Sequence, residues 1–305
     1  METALILIRQ ILQMFLYAGI GYILFKTGRI SQAGSKALAN ILIYVALPAV
    51  IIRGFLVSST AENTSGLIWS AGAAAVLLFV SICVAKLCYR KDAVAAFASA
   101  FSNPGFFGIP LIVASVGESA VFYAASYIAF LNLCQWTWGV SVLTGRPALS
   151  GFRPRKLLTA PFAVAILIGL ILYVTQVRLP ETVSGCLNAA AGLNTPLAMF
   201  TVGIYLGQTD IRRMFRRKTL YGISAVRLLL IPALALLLLS LMPGSMREIK
   251  TALLLAAACP VGSNVAVYAQ LHEKDYPYAV ETVVLSTLCS VLTIPVIIWL
   301  SSLIW

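Results

Sequence analysis

Charged residues are scarce in this 305-residue chain: Asp, Glu, Lys and Arg make up 10% of it, against roughly 25% in soluble domains. Hydrophobic residues make up 60%, and the mean hydropathy is +0.94. Apolar runs of about 20 residues, the length that crosses the hydrocarbon core of a bilayer, recur along the whole chain. The composition excludes a soluble protein and predicts an all-α integral membrane protein.

The residues that most often carry metal and catalytic chemistry are also few. The chain has one histidine, His272, and its six cysteines lie in apolar runs without CxxC spacing. Metal or redox use of these cysteines is disfavoured, and we expect them to pack as small side chains. A Ser/His pair inside the membrane is not available, so we predict neither an enzyme nor a bound metal or cofactor.

Ten apolar segments have the length of a membrane-spanning helix. They lie at 5–26, 35–55, 66–88, 92–115, 118–143, 158–177, 185–207, 219–242, 247–270 and 277–303. The longest hydrophilic break with a shift in composition, "TGRPALSGFRPRKLL", divides them into two sets of five. Because five is odd, the second set must enter the membrane in the opposite orientation to the first, as in inverted repeats. We therefore predict a first repeat at 1–143, a cytoplasmic connecting loop at 144–157 and an inverted second repeat at 158–305.

Basic residues are unevenly divided between the two ends of these spans. With the N-terminus outside, 16 of the 22 Lys and Arg residues fall on the inner side and five on the outer side, while Arg227 lies within a span. The excess of basic residues on the cytoplasmic side predicts a multi-pass protein of the cell inner membrane with both termini outside. Loops facing anionic lipid explain the net charge of +12, so we predict no nucleic-acid partner.

Spans four and nine each contain a proline at a corresponding position. Pro104 and Pro260 are 156 residues apart, and the same offset relates Asp92 to Glu248 at the starts of the two spans. Each proline lies twelve residues past its acid, which is roughly 18 Å of helix. We therefore predict that helices 4 and 9 break and cross near the bilayer midplane.

The motif "SNPGFFGIP" in span four favours an anion site at the break. Pro104 has no N–H, and Asn103 is a strong N-cap, so the pair predicts a new half-helix whose positive end faces the break. Gly105 and Gly108 would let a ligand or the crossing helix approach closely. The alternative is that such prolines and glycines only kink and pack membrane helices.

The motif "ACPVGSN" in span nine repeats this plan. The candidate substrate-binding residues are therefore Asn103, Pro104, Gly105, Phe106, Gly108, Pro260, Gly262, Ser263 and Asn264. All ten acids fall in loops or near helix ends, which disfavours a cation/proton antiporter and favours an anionic substrate. Arg227 is interpreted either as a snorkelling or paired cation or as a counter-charge for the substrate.

The motifs "SNPGFFGIPL" and "ACPVGSNVAVYAQ", with "YVALPAV" and "TAPFAVAILIGL", resemble the auxin efflux carrier family, in particular its short bacterial members. The resemblance covers nearly the whole chain and implies ten helices in two inverted repeats, with a fold related to bile acid sodium symporters. It implies a scaffold of helices 1, 2, 6 and 7 and a mobile transport domain of helices 3–5 and 8–10. The implied function is transport of small organic anions, such as malonate, malate or auxin-like acids.

Several properties stay open at this point. Ser102 and Gln270, with Ser263 and Asn264, supply oxygens that suggest a sodium site by analogy with the bile acid symporters, although no carboxylate joins them. Sodium or proton coupling is therefore left open, as is a homodimer in the lipid bilayer. The alternatives to an alternating-access carrier are a sodium-coupled symporter of the bile acid type and a non-transporting receptor or channel.

Overall fold

The structure, a computed structural model, describes residues 2–147, 155 and 158–305. Over these residues the chain folds into helices and contains no β-strand, so the all-α prediction is confirmed. The helices are α1 (Glu2–Lys26), α2 (Gln32–Gly54), α3 (Ala61–Cys88), α4 (Ala93–Ala100), α5 (Pro104–Ser115), α6 (residues 120–144), α7 (Pro161–Thr175), α8 (Glu181–Gln208), α9 (Ile211–Arg216), α10 (Lys218–Ser240), α11 (Arg247–Ala258), α12 (Asn264–Leu271) and α13 (Tyr276–Ile304).

Helices cover most of each predicted span. Of the described helices, α1, α2, α3, α8, α10 and α13 are long and apolar enough to cross a bilayer. Large apolar side chains such as Leu16, Phe79 and Leu292 are more than half exposed, as expected for surfaces that face lipid. Most of the predicted connecting loop, at 148–154 and 156–157, lies outside the described residues.

Two of the predicted spans are interrupted where the prolines predicted a break. Residues 101–103 separate α4 from α5, and residues 259–263 separate α11 from α12. Pro104 occupies the first position of α5, where its missing N–H costs nothing, while Pro260 lies in the second gap. Each gap interrupts the helical hydrogen-bond ladder and leaves backbone groups that need other partners.

A close helix crossing joins α1 to α8 and depends on two glycines. A Cβ atom on Gly203 would lie 1.9 Å from the carbonyl oxygen of Ala18, and one on Gly21 would lie 2.4 Å from that of Phe200. Glycine at both positions lets the two backbones touch, as is common between membrane helices. Helix α2 packs against α8, α7 packs against α2, and both α1 and α8 contact α5 of the first interrupted span.

Candidate functional site

The two helix breaks lie side by side, and backbone hydrogen bonds join them. Ser102 and Val261 form an isolated antiparallel bridge. The N–H of Asn103 donates to the carbonyl oxygen of Pro260 at 2.9 Å. The two extended segments thus satisfy part of each other's backbone, which is how non-helical chain is tolerated at membrane depth. We call this pairing of residues 101–103 with residues 259–263 the crossover.

Glycine is required at the crossover because two segments of the backbone approach each other closely there. The N–H of Gly262 donates to the carbonyl oxygen of Phe101 at 3.0 Å, and a Cβ atom on Gly262 would lie 2.7 Å from the carbonyl oxygen of Ser102. A Cβ atom on Gly108 would lie 2.9 Å from the Sγ atom of Cys259. Both glycines therefore allow the two interrupted spans to pack closely against each other.

Asn103 begins α5 in the way that its sequence predicts. Its Oδ1 atom accepts a hydrogen bond from the Phe106 N–H at 3.4 Å, and Pro104 follows at the first helical position. The Nδ2 group of Asn103 has no acceptor among the described residues. This amide can therefore donate to a ligand while its oxygen caps the helix.

Several backbone N–H groups at or beside the crossover are unpaired. Those of Gly105, Ser263 and Asn264 have no acceptor within the described parts of the chain. They lie at the first turns of α5 and α12, where the helix dipole places partial positive charge. An anion is the kind of ligand that such groups bind.

A cavity of about 1030 Å³ extends from the crossover to one end of the helices. Its floor is lined by eight residues that the sequence predicted: Ser102, Asn103, Pro104, Gly105, Phe106, Gly262, Ser263 and Asn264. Trp136 and Tyr268 line its wall, and Arg146, His272 and Lys274 lie towards its mouth. The cavity therefore brings the predicted residues of both interrupted spans to one surface.

Four predicted residues lie away from this surface. Gly108 and Pro260 are buried behind the cavity floor, and Gln270 is exposed on α12. Arg227 of α10 is completely buried and does not line the cavity. The structure thus separates the residues that can touch a ligand in the cavity from those that support the crossover.

Arg227 connects the ends of α4 and α11. Its Nη1 group donates to the carbonyl oxygens of Ser99 at 3.2 Å and Ala100 at 3.1 Å, and its Nη2 group donates to the carbonyl oxygen of Ala257. The Ala100 carbonyl also accepts from the Oγ atom of Ser81 at 2.7 Å. This carbonyl is the one that the proline of span four leaves without a helical donor, so its partners come from neighbouring helices.

Sequence reasoning missed three amide side chains around the cavity. The Oε1 atom of Gln135 accepts from the Nδ2 group of Asn264 at 2.9 Å and so orients that side chain, while Asn132 lines the cavity wall. Asn194 of α8 donates through Nδ2 to the Gly105 carbonyl oxygen at 3.3 Å. Each is an amide in a largely apolar run, where its cost in lipid is a usable signal.

A second cavity, of about 300 Å³, lies on the other side of the crossover. Asn194 lines it and also contacts Gly105, so the two cavities approach each other there. At its rim Arg53 of α2 forms an ion pair with Glu118, which lies between α5 and α6. This ion pair joins α2 to the loop that follows α5.

The large cavity carries positive charge without opposing acids. No Asp or Glu lines it in the described part of the chain. Two acids on neighbouring helices are engaged elsewhere: Asp92 accepts from the Tyr278 hydroxyl at 3.0 Å, and Glu281 pairs with Arg217 at 2.9 Å. Partial burial alone would lower the pKa of Arg217. The hydrogen bond and the negative charge of Glu281 have the larger effect and raise this pKa above its usual value, so both residues stay charged and paired with each other. Among the described lining residues, Arg146 and Lys274 therefore carry the full charges, and both are positive.

A helical membrane protein with two interrupted helices meeting at a polar site has the architecture of a secondary transporter. The model of the family described as "Membrane transport protein" matches residues 6–152 and 146–298, and the chain belongs to this family of auxin efflux carrier-type transporters. A Rhizobium meliloti (strain 1021) protein named "Putative malonate transporter" is 25% identical over 305 residues, covering 93% of each chain. The family resemblance seen in the sequence is confirmed.

Proposed function

We propose that this protein is a secondary transporter of small organic anions. The observation that supports this most strongly is the cavity floor, where the unpaired N–H groups of Gly105, Ser263 and Asn264 lie beside the free amide of Asn103. A carboxylate would satisfy these donors through charge-assisted hydrogen bonds, which are stronger than neutral ones. A cation would find no carboxylate to balance its charge among the described lining residues.

The proposed substrates are carboxylates such as malonate, malate or auxin-like acids. The Rhizobium meliloti relative is named for malonate, and malonate carries two carboxylates on a short carbon chain. One carboxylate would bind the crossover donors, and the second would face Arg146 and Lys274 across the cavity. The same cations would raise the local concentration of anions and speed their entry.

The proposed mechanism is alternating access of the elevator type. We place the protein in the inner membrane with both termini outside, because its basic residues lie mostly at one end of the spans. In this orientation the large cavity opens towards the cytoplasm. The proposed scaffold is α1, α2, α7 and α8, in which α1 packs against α8, α8 against α2 and α2 against α7. The proposed transport domain contains α3–α6 and α10–α13. Movement of the second group would break the Asn194–Gly105 and Arg53–Glu118 contacts and carry the crossover towards the small cavity.

Binding can be tested on the purified protein by thermal shift. Malonate, malate and indole-3-acetate are compared with malonamide, the neutral diamide of malonate. A ligand that binds the folded state stabilises it by about 2.7 kcal/mol at one hundred times its Kd. We expect at least one carboxylate to raise the Tm and malonamide to leave it unchanged. Equal shifts with malonamide would refute an anion site.

Transport is tested separately in proteoliposomes. A carrier shows saturable uptake of labelled malonate, and unlabelled malonate trapped inside accelerates that uptake by exchange. A channel would give unsaturated flux without exchange acceleration, and a receptor would bind without flux. Carboxylate binding without saturable exchange would therefore reject the carrier and retain only the anion site.

A further inference from the structure

Arg227 is a fully buried cation without an acidic partner. Its relative exposure is 0%, and no Asp or Glu of the described residues forms an ion pair with it. Burying an unpaired charge is costly, and cations are retained inside membrane proteins where carbonyl oxygens or function compensate for the cost. Its position beside the crossover therefore requires an explanation in terms of the site.

Four oxygen atoms contact the two Nη groups of Arg227, whereas its Nε has no hydrogen-bond partner among the described residues. Carbonyl oxygens of Ser99 and Ala100 end α4, the carbonyl oxygen of Ala257 ends α11, and the Oγ atom of Ser81 lies 3.3 Å from Nη1. Carbonyl groups at the C-terminal ends of interrupted membrane helices are the oxygens that coordinate a small coupling cation in secondary transporters. Here a side chain of the protein occupies them.

We propose that Arg227 is a resident cation that takes the coordination positions of a coupling ion, so that anion binding at the crossover needs no sodium. The guanidinium offsets the negative ends of α4 and α11 permanently, and the positive ends of α5 and α12 then dominate the field in the cavity. Its planar fork also holds the two helix ends at a fixed separation, because one side chain donates to both.

This inference rests on the proposed anion site and predicts a specific cation dependence. In the wild-type protein, the Kd for malonate should change by less than about twofold when sodium chloride replaces potassium or choline chloride at constant ionic strength. In Arg227→Ala the carbonyl oxygens lose their cation, so malonate should bind about 5- to 150-fold more weakly, the usual range for two coupled sites. Added guanidinium or sodium should restore much of that loss in the variant alone.

The matched control is Lys218→Ala, which removes an exposed cation from the same helix and should change neither the malonate affinity nor its cation dependence. If Arg227→Ala does not fold, Arg227→Lys takes its place and should bind malonate without sodium, because its ammonium keeps the charge. Sodium-dependent binding by the wild-type protein or by Arg227→Lys would overturn the inference, as would wild-type affinity in folded Arg227→Ala without added cation. Failure of every carboxylate to bind the wild-type protein would instead reject the proposed anion site.

Discussion

Replacing Asn103 tests whether the crossover is a binding site or only a packing arrangement. Asn103→Ala removes the Nδ2 donor that has no acceptor in the described residues, and it removes the Oδ1 cap of α5. The backbone bond from Asn103 to Pro260 does not depend on the side chain and remains. The substitution therefore separates loss of ligand contact from loss of the crossover itself.

The expected magnitudes follow from these contacts. A hydrogen bond to a charged carboxylate contributes about 1.5–3 kcal/mol, so the malonate Kd of Asn103→Ala should rise about 10- to 150-fold. The cap bond is long, at 3.4 Å, and the cost of its loss should lie at the lower end of the N-cap range, at about 0.5–1 kcal/mol of unfolding free energy. Affinity should therefore fall much more than stability.

Asn103→Asp sharpens the comparison because it has nearly the same shape. Aspartate caps a helix as well as asparagine does, so the cap of α5 should be preserved. Its carboxylate replaces a donor with a negative charge, so malonate should bind more weakly still than to Asn103→Ala. Asn188→Ala, on the exposed face of α8, is the control and should bind malonate like the wild-type protein.

Titration calorimetry with malonate and thermal unfolding of the same preparations provide the two measurements. Wild-type affinity in folded Asn103→Ala and Asn103→Asp would refute the assignment of this amide to the substrate. Equal losses of affinity in Asn103→Ala and Asn188→Ala would mean that the effect is not specific to the crossover.

Two further predictions concern the crossover backbone and the topology. Gly262→Ala should lower the unfolding free energy by about 1–3 kcal/mol and weaken malonate binding, because its Cβ atom would lie 2.7 Å from the Ser102 carbonyl oxygen. The control is Gly185→Ala, whose Cβ atom meets nothing within 4 Å. Equal Tm values for the two variants would contradict this reasoning. In a background without the native cysteines, an impermeant thiol reagent applied from outside should label Ser245→Cys and leave Arg29→Cys unlabelled, and the reverse pattern would overturn the orientation.

The sequence by itself determined the helical membrane architecture and the positions of the two breaks. Long apolar runs require helices in lipid because every backbone group must be satisfied within its own segment. Pro104 and Pro260 lack the N–H that an uninterrupted helix needs, so the breaks follow from local chemistry. Asn103 caps α5 for an equally local reason. These features depend on residues close together in the chain, and that is why they could be predicted.

Only the tertiary structure decided what the polar residues near the breaks do. Gly108 and Gly262 look alike in sequence, yet Gly108 packs on Cys259 while Gly262 lines the cavity. The sequence of its span does not determine whether Arg227 faces a substrate or a helix end. The fold decides this, because it places the ends of α4 and α11 beside α10. Carbonyl oxygens of residues distant in the chain select that position, because a buried guanidinium must find oxygen partners and local sequence does not specify which ones.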